Sequence, residues 1–217
     1  MPLIIHHLHV SQSERIPWLC EELGIEYELR EYTRVPLAAP PEYKALHPMG
    51  GSPIIQDGDL TLAESCAVIE YISHKYADGR LFLKFPHPDY ADFLYWWHWV
   101  DGTFFGSIAR GVQIRSGDVN PILAKLNRFD SGLRMLDERL RENDWLAGHE
   151  FTVADIMIVF ALTTFRYYYL YSLRDYPNVV RYLQRIGARE AYQKAMAKSD
   201  PGMELLLGSE PPKQSLM

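Results

Sequence analysis

The sequence has few cysteines and no long apolar run. Only Cys20 and Cys66 occur among 217 residues, and their separation fits neither a Cys-x-x-Cys motif nor metal-ligand spacing. A redox dithiol and a structural zinc are therefore not expected, and a reducing compartment is favoured. No apolar segment approaches the roughly 20 residues of a membrane-spanning helix, and no secretory signal pattern opens the sequence. These features predict a cytoplasmic protein without a membrane partner.

Positive charge is also scarce. Lys and Arg number 22 against 28 Asp and Glu, which gives a formal net charge of −6. Nucleic-acid binding normally requires a clustered basic face, so no nucleic-acid partner is predicted. His6, His7 and His9 could suggest a metal site, but no acid or cysteine lies near them in sequence. No metal is therefore predicted.

The first 82 residues alternate strand and helix patterns. Apolar alternation indicates strands, and apolar residues three or four positions apart indicate helices. A polar, proline-rich stretch separates a first βαβ set from a second ββα set. Strands are predicted at 3–10, 27–32, 53–56 and 60–62, with helices at 16–23 and 65–76.

Past residue 82 the pattern becomes entirely helical. The residues Phe-Pro-His-Pro at 85–88 indicate a linker, which we place at 83–88. An all-helical domain is predicted at 89–207, with a capping box from Thr152 to Asp155 and a disordered tail at 208–217. Helices are predicted at 89–115, 121–141, 152–169, 178–186 and 190–198.

Two serines, Ser11 and Ser13, stand where the first strand gives way to a helix. The start of a helix presents unpaired N–H groups and about half a unit of positive charge, which stabilise a thiolate over its thiol. Either hydroxyl could donate a hydrogen bond to such a sulfur. Ser11 also forms a capping-box pattern with Glu14, although that helix start places Pro17 deeper in the helix than a start at Ser13.

Four features occur along the chain in one order. They are Ser11 at the strand-to-helix junction, Ser52-Pro53 after a Pro-x-Gly turn, Glu64-Ser65 at a helix start, and the capping box at 152–155. In this order they resemble the cytosolic glutathione transferase family, of the serine type and similar to fungal and bacterial theta-like members. The resemblance covers nearly the whole chain. It implies an α/β plus all-α protein, with a thioredoxin-like domain at 1–82 followed by the helical domain.

The resemblance also implies how glutathione, the co-substrate, would be bound. Ser11 aligns with the serine that stabilises the thiolate, and we assign Ser13 to the helix cap beside it; the reverse assignment stays open. A cis Ser52–Pro53 bond would let Ser52 pair with the cysteinyl backbone. Glu64 would meet the γ-glutamyl ammonium and Ser65 its carboxylate.

One position departs from the family pattern. Members often carry lysine just after the Pro-x-Gly turn, where it meets the glycine carboxylate of glutathione, but this chain has Gly51. That contact is missing or is supplied elsewhere. His47, in a slot more often filled by asparagine, is a candidate.

Aromatic residues are concentrated in the predicted helical domain. Consecutive aromatics point around a helix, so most are predicted to be core and a minority to line an apolar acceptor cleft. The residues assigned to that cleft are Trp96, Trp99, Phe104 and Tyr167. The predicted function is transfer of glutathione to a hydrophobic electrophile, in detoxification, by a homodimer. The alternatives are a glutathione-dependent isomerase, lyase or peroxidase, or a non-catalytic ligand carrier or regulator.

Overall fold

The structure, a computed structural model, describes residues 2–115 and 128–217. The first part of the helix predicted at 121–141 therefore lies outside the described residues. Two compact units make up the chain: Met1–Phe82 with Ile186–Leu205, and Leu83–Arg185 with Leu206–Met217. Among the described residues, no helix has both the length and the apolar character needed to cross a membrane.

The first unit is built on a four-stranded mixed sheet in the order β2-β1-β3-β4. The central strand β1 is parallel to β2 and antiparallel to β3, which is antiparallel to β4. This order confirms the predicted βαβ-ββα, thioredoxin-like arrangement. The elements are β1 Leu3–Leu8, α1 Arg15–Leu23, β2 Tyr27–Tyr32, α2 Pro41–Lys44, β3 Ile54–Asp57, β4 Leu60–Ala63 and α3 Ser65–Ala77.

The side chains of β1 alternate between the two faces of the sheet. His6 lies on one face, where its Nδ1 is 2.9 Å from the Tyr32 hydroxyl and its Nε2 is 3.0 Å from Gln56 Oε1. His7 lies on the other face and is completely buried. The strand therefore carries a polar side chain into each layer of the unit.

Helix α1 ends at Gly24, whose φ of +69° is a left-handed conformation that favours glycine. A short 3₁₀ turn, Gln12–Glu14, precedes the helix. The apolar face of α1, which includes Ile16 and Leu19, is fully buried. The 3₁₀ turn and α1 together form one continuous helical run after β1.

The second unit is helical in all its regular described elements. Its core helix, α7 Val153–Leu162, has all ten residues buried. Gly111 of α5 Gly106–Arg115 lies so close to α6 Phe129–Glu142 that a Cβ there would be 2.5 Å from the Phe129 Cβ. A π-helical stretch, Val100–Phe105, joins α4 to α5. The helices are α4 Tyr90–Trp99, α5 Gly106–Arg115, α6 Phe129–Glu142, α7 Val153–Leu162 and α8 Pro177–Gly187, with a 3₁₀ turn at Thr164–Tyr167.

The capping box predicted at the start of α7 is confirmed. Asp155 is completely buried and accepts hydrogen bonds from the Thr152 N–H at 2.9 Å, the Leu146 N–H at 3.0 Å and the Tyr182 hydroxyl at 3.0 Å. Burial raises the pKa of Asp155 to about 6, although these hydrogen bonds act in the opposite direction. The carboxylate thus ties the start of α7 to a loop and to α8.

The last helix, α9 Glu190–Ser199, belongs to the first unit rather than to the predicted helical domain at 89–207. It packs on α1, where the rings of Trp18 and Tyr192 meet edge-on at 4.8 Å. Arg189, just before α9, binds both carboxylate oxygens of Glu22 at 2.6 Å. Apolar and ionic contacts with α1 therefore hold α9 in the first unit.

The C-terminal segment differs from the disordered tail predicted at 208–217. The buried guanidinium of Arg166 donates to the carbonyls of Gly208 at 2.9 Å and Ser209 at 2.7 Å. The Leu216 N–H donates to the Tyr167 carbonyl at 2.8 Å. These bonds hold the segment against its own unit, because its carbonyls accept hydrogen bonds from the buried guanidinium of Arg166.

Candidate active site

Ser11 caps the helical run that follows β1. Its backbone is extended, and its Oγ accepts a hydrogen bond from the Ser13 N–H at 3.2 Å. The predicted assignment of the cap to Ser13 is therefore wrong. The run begins with a 3₁₀ turn, in which the Glu14 N–H binds the Ser11 carbonyl at 3.1 Å, so a start at Ser11 accommodates Pro17.

Ser13 is a buried bridge. Its Oγ lies 2.7 Å from Ser11 Oγ and 2.9 Å from His7 Nδ1, and it accepts a bond from the Leu8 N–H at 3.2 Å. Its side chain is completely buried, while Ser11 is 3% exposed. Ser13 thus connects the Ser11 hydroxyl to the buried ring of His7.

The histidine leads to a carboxylate. His7 Nε2 is 3.0 Å from Asp200 Oδ2, and Asp200 Oδ1 accepts from the Val10 N–H at 2.9 Å and lies 3.1 Å from His9 Nδ1. Burial acts to raise the pKa of Asp200, but the hydrogen bonds and charge of His7, with the Val10 and His9 bonds, hold that pKa below its usual value. The Asp200 carboxyl is thus ionised at neutral pH.

His7, His9 and Asp200 also form a possible metal-ligand set. One ligand atom from each lies within 4.8 Å of the others, and two imidazoles with a carboxylate suit several divalent transition metals. The sequence-based reason for excluding a metal, the lack of a nearby acid, therefore does not hold. Both ring nitrogens of His7 are already engaged, however, by Ser13 and by Asp200. We interpret the cluster as a hydrogen-bond network.

The predicted glutathione residues of β3 and α3 are linked to the same turn. The Ser52–Pro53 peptide bond is cis, as the resemblance implies. Gln12 Nε2 donates to the Ser52 carbonyl at 2.7 Å, and Arg15 Nη1 donates to Gln12 Oε1 and to Ser65 Oγ, both at 3.0 Å. Gln12 and Arg15, which the sequence reasoning missed, therefore join Ser52 to Ser65.

Glu64 stands at the start of α3 with a strained backbone. Its φ is +75°, and its exposed side chain makes no capping bond to the helix. Such a conformation costs about 1–3 kcal/mol for a residue other than glycine and is concentrated at functional sites. Glu64 thus directly precedes the buried Ser65 with a side chain that is exposed and does not cap the helix.

The loop after α2 contains the two positions at which the chain departs from the family pattern. His47 is half-buried, and its Nδ1 accepts from the Met49 N–H at 3.3 Å, so Nε2 carries the proton of the neutral ring. A Cβ at Gly51 would meet nothing within 4 Å. The loop thus offers one imidazole donor and open space where a lysine would stand.

The residues assigned to the acceptor cleft lie in the second unit. Trp96 and Phe104 are buried in its core, and Trp99 stacks on Phe104 with ring centroids 4.8 Å apart. Trp99 and Phe104 also line a cavity of about 390 Å³, whereas Trp96 and Tyr167 are not among its lining residues. The half-buried Tyr167 lies under the C-terminal segment. Trp96 also meets Trp99 edge-on at 5.1 Å, so Trp96, Trp99 and Phe104 lie together, whereas Tyr167 contacts the C-terminal segment.

A thioredoxin-like unit followed by a helical unit defines the class of protein to which this chain belongs. Residues 11–75 match the family described as "Glutathione S-transferase, N-terminal domain", and residues 121–190 match "Glutathione S-transferase, C-terminal domain". The chain is 31% identical over 215 residues to glutathione S-transferase 3 of Schizosaccharomyces pombe, which covers 90% of this chain and 87% of that protein.

Two solved structures extend the comparison. A glutathione S-transferase from Actinobacillus pleuropneumoniae is 33% identical, with a TM-score of 0.82, and the match covers 93% of this chain and 94% of that one. A theta class glutathione S-transferase from Xanthomonas axonopodis pv. citri, solved with glutathione bound, is 27% identical, with a TM-score of 0.67 and coverage of 90% and 97%. The chain belongs to the glutathione S-transferase family. It is a transferase that uses glutathione as co-substrate.

Proposed function

We propose that Ser11 stabilises the thiolate of bound glutathione for attack on a hydrophobic electrophile. The observation that carries the proposal is the position of the Ser11 hydroxyl, which caps the helical run after β1. A thiol has a pKa of about 8.5, and lowering it by about two units requires about 2.7 kcal/mol in favour of the charged form. A hydroxyl donor together with a helix N-terminus can supply that amount.

The remaining predicted residues would hold the tripeptide. Ser52 lies at the cis-proline turn and pairs with the cysteinyl backbone, while Glu64 and Ser65 receive the γ-glutamyl end. His47 offers its Nε2–H to the glycine carboxylate. The bonds from Gln12 and Arg15 support this assignment, because they fix the turn and the helix start relative to Ser11.

We further propose that the enzyme is of the serine type, acts as a homodimer and is cytoplasmic. Neither Cys20 nor Cys66 is in a disulfide, which is compatible with a reducing compartment. Burial raises the pKa of Cys20, so its thiol is not a competing nucleophile. Sedimentation at micromolar concentration tests the dimer: a single monomeric species would contradict it.

The test of the thiolate site is Ser11→Ala. We expect turnover at neutral pH to fall much more than the affinity for glutathione, and the midpoint of the thiolate ultraviolet absorbance of the complex to move toward that of free glutathione. Ser73→Ala is the matched control, since Ser73 is another buried serine of the same unit and its hydroxyl binds the Arg80 carbonyl. Unchanged turnover in Ser11→Ala would overturn the proposal.

The same titration separates the alternative functions. Binding of glutathione without any shift of its thiolate midpoint would favour a ligand carrier or regulator. A shifted midpoint with no conjugation of hydrophobic electrophiles would favour an isomerase, lyase or peroxidase.

A further inference from the structure

The backbone changes its conformation abruptly just before Ser11. Val10 has a φ of +53°, in the left-handed region, whereas Ser11 is extended with a φ of −143°. A β-branched residue with a positive φ is a steric outlier, and such a conformation persists only where the surrounding structure enforces it. The contacts that hold Val10 therefore also determine the position of Ser11.

Arg34 binds the peptide groups on both sides of Val10. Its Nε donates to the His9 carbonyl at 2.9 Å, and its Nη2 donates to the Val10 carbonyl at 3.2 Å. The φ and ψ bonds of Val10 lie between these two carbonyls, so the two hydrogen bonds can form together only over a narrow range of its dihedral angles. A guanidinium is planar and presents its N–H groups in a rigid fork, which fixes the carbonyls relative to each other. We call Arg34 with these two carbonyls the Arg34 clamp.

Two further contacts hold the clamp and the strained residue. The third guanidinium nitrogen, Arg34 Nη1, donates to the Leu37 carbonyl at 2.7 Å, so each nitrogen of the half-buried group binds the backbone. On the opposite side of the strained residue, the Val10 N–H donates to Asp200 Oδ1 at 2.9 Å. Both backbone polar groups of Val10 are thus bound by side chains.

The conformation of Val10 determines where the Ser11 hydroxyl lies. Neighbouring Cα atoms are about 3.8 Å apart, so a rotation of about 20° in the φ of Val10 displaces the Ser11 Cα by roughly 1 Å. A hydrogen bond does not survive a displacement of that size, because its length varies by only a few tenths of an ångström. On its other side Ser11 Oγ is held by the Ser13 N–H at 3.2 Å and by Ser13 Oγ at 2.7 Å. The clamp supplies the hold from the side of β1.

We propose that Arg34 is a positioning residue for the activation of glutathione; this rests on the proposed role of Ser11. Arg34 acts through the backbone and does not touch the thiol. It keeps Val10 in the left-handed conformation, and so it holds the Ser11 hydroxyl in the direction from which it donates to the sulfur. The function of the guanidinium is its fork of donors rather than its charge, since each of its nitrogens binds a carbonyl.

The first test is Arg34→Lys, which keeps the positive charge but replaces the fork by a single ammonium. We expect the midpoint of the thiolate ultraviolet absorbance of the glutathione complex to rise by about one unit, because the thiolate loses part of its hydroxyl bond. Turnover should fall about tenfold at a pH below both midpoints and change little at a pH above both. Binding of S-methylglutathione, which has no thiol proton, should stay unchanged.

Arg80→Lys is the matched control. Arg80 is another arginine of the first unit whose guanidinium binds two backbone carbonyls, those of Leu23 and Glu22. Its replacement should leave the thiolate midpoint unchanged. A merely structural role of Arg34 would lower the free energy of unfolding without moving the midpoint. An unchanged midpoint in Arg34→Lys would therefore overturn the proposal.

A double variant tests whether the clamp acts on the strained residue. Glycine adopts a positive φ about as readily as a negative one, so Val10→Gly makes the clamp less necessary. In Val10→Gly combined with Arg34→Lys, the midpoint should return most of the way to that of the original chain. A midpoint that stays raised would show that Arg34 does not act by holding Val10, and it would refute the clamp. Because glycine relieves the strain, the double variant also serves if Arg34→Lys alone fails to fold.

The original chain distinguishes a failure of the clamp from a failure of the proposed function. If the midpoint of its glutathione complex is no lower than that of free glutathione, the role of Ser11 fails and the clamp fails with it. If the midpoint is lowered equally in the original chain and in Arg34→Lys, the clamp alone fails.

Discussion

The two compact units each contain a buried aspartate that accepts several hydrogen bonds, yet the pKa values of the two residues move in opposite directions. Asp155 in the second unit has a raised pKa of about 6, and Asp200 in the first has a lowered one. The bonds to Asp155 come from backbone N–H groups and hydroxyls. Those to Asp200 include two imidazoles. The chemistry of the donors, rather than their number, separates the two residues.

That difference distinguishes a carboxylate held by backbone N–H groups and hydroxyls from one held in part by imidazoles. The donors around Asp155 cannot change their charge near neutral pH, so the residue can only join elements of the second unit. Asp200 instead accepts from the imidazoles of His7 and His9 and from the Val10 N–H. The first unit therefore joins β1 to the residue after α9 through side-chain rings, whereas the second uses its buried polar groups to hold α7 and the C-terminal segment.

The largest expected effect is that of Asp155→Ala. The change leaves the N–H groups of Thr152 and Leu146 and the Tyr182 hydroxyl without their acceptor, so the free energy of unfolding should fall by about 4 kcal/mol. Urea unfolding followed by tryptophan fluorescence measures the loss. Thr152→Ala, which removes one side of the capping box, should cost about 1 kcal/mol. Equal losses in the two variants would contradict a joining role for Asp155.

Removing the buried cation of the second unit should cost almost as much. Arg166→Met removes the donor to the carbonyls of Gly208 and Tyr171 and one donor to the Ser209 carbonyl, which keeps the Leu173 N–H. We therefore expect a loss of about 3 kcal/mol and faster proteolysis of the C-terminal segment. Arg174→Met is the control, because Arg174 binds Glu210 of the same segment from an exposed position. Proteolysis at the same rate in both variants would show that Arg166 does not hold the segment.

The pH dependence of stability provides a direct contrast between the two aspartates. The pKa of Asp155 is raised from 3.8 to about 6 in the folded chain. Its contribution to the free energy of unfolding, about 3 kcal/mol, is therefore complete below pH 4 and is lost as pH rises to 6. Asp200 has a lowered folded pKa, so its contribution is present above pH 4 and is lost at lower pH.

Unfolding measured between pH 3 and pH 7 in Asp155→Asn and Asp200→Asn tests the contrast. In Asp155→Asn the free energy of unfolding should not decline between pH 4 and pH 6. In Asp200→Asn it should not fall below pH 4. If the two variants kept the same pH profile as the original chain, the assignment of the opposite slopes would fail.

Most of the fold and part of the site could be predicted from local pattern. The alternation of strands and helices gave the βαβ-ββα order, and the residues of the capping box lie within one helical turn. The partner of His7 could not be found this way, because Asp200 is 193 positions away in sequence. Strand periodicity places His7 and His9 on one face of β1, but it does not say which helix covers that face. The membership of α9 in the first unit, and with it the contact of Asp200 with His7, depends on that packing.

The smallest predicted effect concerns charge in the loop that follows α2. Gly51→Lys places an ammonium where a Cβ meets nothing within 4 Å, and no positive φ opposes the change. If glutathione lies as proposed, its glycine carboxylate gains an exposed ion pair of about 0.2–1 kcal/mol, so affinity should rise by up to roughly fivefold. The thiolate midpoint should not move, because the Ser11 hydroxyl and the helix start are untouched. Gly51→Met supplies the same length without charge, and an equal gain in affinity there would show that contact area, rather than charge, limits binding at this loop.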